Sequence, residues 1–267
     1  MSISKTELEE RKAGKDLYSY QKGAIDKIFK AFEESPDDYH LLYQLPTGGG
    51  KTVIFSEIVR QYLKHHKKKV LVMTHRIELC KQTSNMLTEF EVVNKVIDSK
   101  ADLSDQGNYS CFVAMVETLN NRLNDDKLDI SDIGLVIIDE AHYNSFTKLF
   151  KFFRQSFILG VTATPLSSSI ELPMTDNYDE LIVGESIESL IENGFLARAE
   201  MFTYNVGLTS LVVGANGDYT VKSSEDLYTA DDMLSKLIQA YEERSKGKKT
   251  LIFNNGINTS LHVYDTF

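Results

Sequence analysis

Cysteine is scarce in this 267-residue sequence. Only Cys80 and Cys111 occur, with no metal-like spacing, so they read as two buried, reduced thiols of a cytoplasmic protein. No apolar run approaches the roughly 18 residues that a membrane span needs. The N-terminal stretch MSISKTELEERKAGKD is charged and has no apolar signal core. Both absences point to a soluble intracellular chain with no membrane partner. Basic residues are in deficit: 29 Lys and Arg stand against 39 Asp and Glu, for a net charge of −10. That argues against a nucleic-acid binder that uses its whole surface, because neutralising phosphates takes Lys and Arg. It leaves room for a local basic strip. Internal repeats, low-complexity tracts and a nuclease-like cluster of carboxylates with lysine are also missing.

What is present is ordinary globular composition, with 42% apolar and 25% charged residues. The length suits one large domain or two modest ones. Residues 20–33, YQKGAIDKIFKAFE, set Ala24, Ile25, Ile28, Phe29 and Phe32 on one helical face. HLLYQL reads as a short buried strand that runs into a glycine turn. KTVIFSEIVRQYLKHH then reads as a helix with Ile54, Phe55, Ile58, Val59 and Tyr62 as its buried stripe. KVLVMTH, SCFVAMV, GLVIIDE and FILGVTATP read as further strands, and RIELCKQTSNMLTEF as a helix. Apolar strands alternating with amphipathic helices imply an α/β fold with a parallel sheet covered on both faces. The run Leu135 to Ile138 suits its central strand.

In such a sheet, ligands bind beyond the carboxyl ends of the strands. LPTGGGKT occupies one of those ends, and its backbone N–H groups at Gly48, Gly49 and Gly50 are free to meet a phosphate. Lys51 reaches for terminal phosphates and the Thr52 hydroxyl for Mg²⁺. The competing reading is a glycine-rich turn with an exposed lysine. At a second strand end stand Asp139 and Glu140. A nucleotide site needs one carboxylate to hold Mg²⁺ and another to activate water, roles that suit Asp139 and Glu140 in turn. The competing reading there is an acidic turn.

Together these segments resemble the motor of a superfamily 2 DEAD/DEAH-box helicase or translocase, of the branch that includes type III restriction helicase subunits. LPTGGGKT resembles motif I, DEAH at 139–142 motif II and TATP at 162–165 motif III. THRIELCKQ resembles motif Ia, AMVETL the next nucleic-acid motif, and YQKGAI the upstream glutamine motif. The matches run in family order from residue 17 to about 165, and YDELIVGESIESLIENGFL and GDYTVKSSEDL extend the likeness. The resemblance implies a RecA-like P-loop domain that uses ATP and Mg²⁺. It implies Gln21 on the adenine edge and Thr47 to Thr52 around the phosphates. It also implies that Leu45, at the first glycine position of the usual loop pattern, is the end of a strand. His142, Thr162 and Thr164 are implied as coupling groups. Thr74, His75, Arg76 and Thr118 are implied as nucleic-acid contacts, with DNA favoured over RNA. For Arg76 an exposed charge at a helix start is the plainer alternative, and for Thr162 and Thr164 ordinary strand composition. Tyr18 stands where the family often has arginine.

The expected organisation is a charged segment over 1–15, a first RecA-like domain over 16–202 and a linker over 203–230. Residues 231–267 are expected to be the incomplete start of a second such domain. Within the linker, the stretch GLTSLVVGANGDYTVKSSEDLYT reads as a connector or extended hairpin. DDMLSKLIQAYEERSKG reads as a helix and KKTLIFNN as a strand resembling motif IV. Motifs V and VI, with the arginine finger that reaches the γ-phosphate, are absent from the sequence. The expectation is therefore an ATP-driven motor domain. The alternative is a fragment that binds nucleotide and nucleic acid without effective turnover, and a third reading is the motor part of a restriction endonuclease subunit.

Overall fold

In the computed structural model, residues 16–36, 38–124, 132–167, 173–215 and 217–267 are described. The charged segment 1–15 lies outside them. By internal packing the chain divides into two units, Met1–Arg198 and Ala199–Phe267.

The first unit is built on seven strands: β1 (His40–Gln44), β2 (Lys69–Thr74), β3 (Asn94–Ile97), β4 (Cys111–Met115), β5 (Ile133–Asp139), β6 (Phe157–Thr162) and β7 (Glu180–Val183). Every pairing is parallel, in the order β3-β4-β2-β5-β6-β1-β7. This is the covered parallel sheet expected from the pattern of elements. Successive side chains of a strand face opposite ways, so the sheet has two cores. Leu41, Tyr43, Val70, Val72, Leu135 and Ile137 face one side, against helices α1 (Ser19–Glu34), α2 (Lys51–His65) and α3 (Ile77–Glu89). Leu42, Leu71, Met73, Val136 and Ile138 face the other, against α4 (Val116–Asn124) and the 3₁₀ run Asn144–Phe152. All seven residues of β5 are buried, as a central strand requires.

Register places the chemistry. Gln44 of β1 is level with Thr162 of β6, and Asp139 of β5 with Val161. The carboxyl ends of three adjacent strands therefore finish together, and the loops leaving them share one edge.

Two strands are invisible in the sequence pattern. β3 and β7 lie at the two edges of the sheet and have four residues each. In β7 three of the four residues are exposed, so no apolar run marks it.

The second unit, described by itself, corrects two readings. Residues 207–229 are not a plain connector or hairpin. A single antiparallel bridge joins Val213 to Tyr219, and then Val221–Tyr228 forms a helix, α6, following α5 (Ile187–Glu192) of the first unit. The Thr220 side chain accepts from the Ser223 N–H and caps α6, a signal present in the sequence and easily lost among its Ser and Gly neighbours. The strand expected around Leu251–Phe253 is not formed. Leu251 is 77% and Phe253 87% exposed, and a strand with no neighbour to pair with gains no ladder. Helix α7 (Asp231–Arg244) matches its expected charge order, with Asp231 and Asp232 in its first turn and Arg244 in its last. Helix α8 (Ile257–Thr266) closes the unit. An apolar groove lined by Tyr204, Tyr228, Met233, Leu237 and Phe253 lies within this unit and holds none of the expected site residues.

Candidate active site

The loop after β1 explains its own glycines. Gly48 and Gly50 have φ of 85° and 83°, a region that costs other residues roughly 1–2 kcal/mol. Gly49 is held for a different reason. A Cβ there would lie 2.8 Å from Leu45 Cγ and 3.1 Å from the Pro46 carbonyl oxygen. Leu45 is fully buried, and its N–H donates to the Thr162 carbonyl at 3.0 Å. It thus prolongs the β1–β6 ladder by one bond and packs beneath the loop. Gly50 is the N-cap of α2, so the loop leads into the positive end of a 15-residue helix. Thr47 and Gly48 are exposed, and Thr52 is half-buried in the first turn.

Lys51 and the acidic strand end meet. Lys51 Nζ donates to the Leu45 carbonyl at 3.4 Å and lies 3.8 Å from Glu140 Oε1. Glu140 Oε2 is 3.4 Å from His142 Nδ1, and the same nitrogen is 3.0 Å from Thr162 Oγ1. The Thr162 hydroxyl also takes the Thr164 N–H at 3.1 Å. Glu140 is therefore held between a lysine and a histidine. Its backbone has φ of 54°, a left-handed conformation rare outside glycine and recurrent at functional sites.

Asp139 is buried, and it receives the Glu140 N–H at 3.1 Å. Burial, with the neighbouring Glu140 charge added, pushes its carboxyl up to about 6, while Lys51 and that N–H pull the other way. Two adjacent carboxylates, one of them buried, form a donor set that a divalent cation would relieve. Among the described residues no group of three His, Cys, Asp or Glu could hold a metal alone. Mg²⁺ at a nucleotide needs fewer protein donors, since phosphates and water complete its shell. Asp139 and the Thr52 hydroxyl fit that demand.

The glutamine of α1 lies beside the glycine loop. Gln21 is 3% exposed, and its amide oxygen accepts the Tyr18 N–H at 3.0 Å, capping the helix. Its amide nitrogen is 3.5 Å from the Tyr20 hydroxyl and 2.6 Å from where a Gly50 Cβ would sit. The Tyr20 hydroxyl donates to the Gly49 carbonyl at 2.7 Å.

The family model for the type III restriction enzyme res subunit matches residues 14–167. The chain belongs to this family. It is 26% identical over 94% of its length to a provisionally named ATP-dependent helicase, IRC3 of Saccharomyces cerevisiae, of which it spans 41%. It is 26% identical over 75% of its length to the ATP-dependent DNA helicase MPH1 of Debaryomyces hansenii, of which it spans 18%. The UvsW helicase of bacteriophage T4 superposes on 68% of the chain, and on 68% of its own, with a TM-score of 0.51 at 18% identity. The chain spans less than half the length of these two sequence relatives. Its first unit has the RecA-like fold of superfamily 2 helicases.

The other residues of this helicase-type domain are distributed unevenly. Thr74 is fully buried. Its hydroxyl donates to the Arg76 carbonyl at 3.1 Å and lies 2.9 Å from Cys80 Sγ, so it shapes the turn from within. Arg76 is exposed at the start of α3, and His75 is half-buried. The His75 ring packs on Tyr143 at 4.2 Å, and Tyr143 on His142 at 4.3 Å. His75 Nδ1 is buried with no hydrogen-bond partner. Burial, then the Arg76 charge, holds its pKa below the ordinary histidine range. This row of rings joins the end of β2 to the acidic strand end. Tyr143 carries no motif of its own in the sequence, so only the fold reveals its part. Thr118 is half-buried on α4. No helix among the described residues is long and apolar enough to cross a membrane.

Proposed function

We propose that this chain is the ATP-binding motor part of a superfamily 2 helicase or DNA translocase. It couples hydrolysis of Mg²⁺–ATP to movement on nucleic acid. One observation carries the reading: Lys51 and His142 converge on Glu140 at 3.8 and 3.4 Å, beside the buried Asp139. The N–H groups of Gly48 and Gly50 and the positive end of α2 bind the triphosphate, and Lys51 neutralises its terminal charge; the Gly49 N–H is taken by the Pro46 carbonyl at 3.0 Å. Asp139 and Thr52 hold Mg²⁺, which when bound neutralises charge on the transferring phosphates. Glu140 takes the proton from the attacking water, oriented by Lys51, His142 and its own left-handed backbone. His142, Thr162 and Thr164 form the link from this site to the nucleic-acid side. There His75, Arg76 and Thr118 contact the phosphates of the strand. DNA is favoured over RNA, in line with the name of the MPH1 relative.

The test is binding of a fluorescent ATP analogue with and without Mg²⁺, followed by ATP turnover with and without DNA or RNA. Lys51→Ala should weaken nucleotide binding by at least about 30-fold, the scale of losing one partner of a close charge contact, with the fold intact by circular dichroism. Unchanged affinity in that variant would overturn the assignment. Binding without turnover under any condition would favour the alternative of a nucleotide-binding fragment. The family match favours a restriction-subunit setting for the motor, which a DNA-cleavage assay with candidate partner subunits would test.

A further inference from the structure

We infer that the edge of the first unit opposite the phosphate loop carries a second contact for single-stranded nucleic acid, in which one unstacked base enters a cavity while Lys67 and Lys68 neutralise the phosphates beside it. The inference rests on the nucleic-acid part of the reading above. The chain is acidic overall, yet KHHKKK at 64–69 gathers four lysines and two histidines in consecutive positions. Lys64 and His65 occupy the last turn of α2, where the helix dipole accounts for them. Lys67 and Lys68 lie beyond the helix, and both are exposed. Neither side chain has an ion-pair or hydrogen-bond partner among the described residues. A Cβ on Gly134 would lie 2.7 Å from both Cβ and Cδ of Lys68. The glycine at the start of β5 thus lets the lysine stem lie against the sheet.

Lys67 and Lys68 line a cavity of about 450 Å³ that also has aromatic walls. His66, the C-cap of α2, stacks on Tyr62 at 4.4 Å with planes 15° apart. Phe32, near the end of α1, meets Tyr62 edge-on at 5.6 Å and Phe157, at the start of β6, at 4.8 Å. Tyr62 and Phe157 are buried, Phe32 is half-buried and the His66 imidazole is exposed. Rings beside lysines hold a single strand without reading its sequence, because every base has a π-face. A duplex keeps its bases stacked and has none to place in the cavity. Acidic groups are also close: Glu33 lines the cavity, and the Asp132 carbonyl accepts the Lys69 N–H at 2.8 Å. The lysines and imidazoles of residues 64–69 outnumber these two carboxylates. Lys69 and Thr74 stand at opposite ends of β2, roughly 17 Å apart at about 3.3 Å per residue. This edge therefore adds to the hold on the strand at Arg76 rather than replacing it.

The experiment titrates the full chain into a fluorescent oligothymidylate over a range of salt concentrations. A strand of the same length with abasic sites in place of bases, and a duplex, are titrated beside it. Lys67→Gln combined with Lys68→Gln keeps the side-chain stems and removes two charges. It should weaken oligothymidylate binding and lower the slope of log affinity against log salt by about 1.4, with ATP affinity unchanged. His66→Ala, at an exposed position, should weaken oligothymidylate binding by roughly tenfold and leave the abasic strand and the duplex unchanged. Parent affinity and salt slope in the lysine variant would overturn the inference. So would an equal loss for the normal and abasic strands in His66→Ala. Arg76→Ala separates the two levels. If it weakens binding while the variants at residues 66–68 do not, this second contact fails and the nucleic-acid reading stands. Absence of binding to any strand by the parent chain would remove that reading and the inference with it.

Discussion

Glu140 concentrates the chemistry of the site in one residue. Its carboxylate faces a cation on one side and an imidazole on the other, and its backbone occupies a conformation that asparagine or glycine would adopt more easily. A residue kept at such a position earns an explanation in function rather than stability. Glu140→Gln keeps the shape but removes the charge and cannot accept a proton. Hydrolysis should fall by roughly 10²-fold or more, while nucleotide affinity stays close to the parent's. Hydrolysis at the parent rate would show that another group activates the water. Gly49 makes the complementary case for stability. Gly49→Ala would press a methyl group onto Leu45 Cγ and the Pro46 carbonyl, and the backbone oxygen has little room to yield. The expected cost is about 1–3 kcal/mol, seen as a drop in Tm and in nucleotide affinity together. A variant with parent Tm would mean that the loop moves off Leu45 at little cost.

At the scale of elements, the ends of β1, β5 and β6 are in register, and that register converts separate motifs into one site. The glycine loop and the Asp-Glu strand end are legible in the sequence because their chemistry confines residue types within short contiguous runs. The edge strands β3 and β7 are not, since four residues each, half-buried in most of β3 and exposed in most of β7, leave no periodic signal. The Gln21 cap and the Tyr143 stack depend on contacts that no local pattern encodes. Tyr143 shows what this hides. Its ring sits between His75 and His142, so a displacement at the end of β2 reaches the histidine that contacts Glu140. Tyr143→Ala should lower ATP turnover while leaving nucleotide affinity within about threefold, and Tyr143→Phe should restore turnover because the stacked ring is kept. Equal, parent-like turnover in both variants would show that the ring only fills space.

At the scale of the whole molecule, the two units differ in how well each is buried. The first carries a core on each face of a seven-stranded sheet, with β5 buried throughout. Among the described residues of the second, the buried apolar side chains are Met233 and Val263, while Leu251, Phe253, Ile257, Leu261 and Tyr264 are all more than half exposed. Local stability follows burial and ladder formation, so opening free energies should differ between the units. Amide exchange reads this directly. The amides of β5 should exchange slowest, through the largest opening the chain makes. Those of residues 249–254, which form no helix or strand, should exchange within the shortest labelling times. Helices α7 and α8 should fall between, because their internal hydrogen bonds protect amides but rest on little apolar burial. Limited proteolysis should agree, with early cuts near residues 249–254 and a resistant product ending near residue 198, the boundary between the units. Protection of residues 249–254 equal to that of β5 would show that these residues are paired in solution, by a second copy of the chain or by another partner. Repeating the exchange across protein concentrations separates the two, since pairing between copies is concentration-dependent.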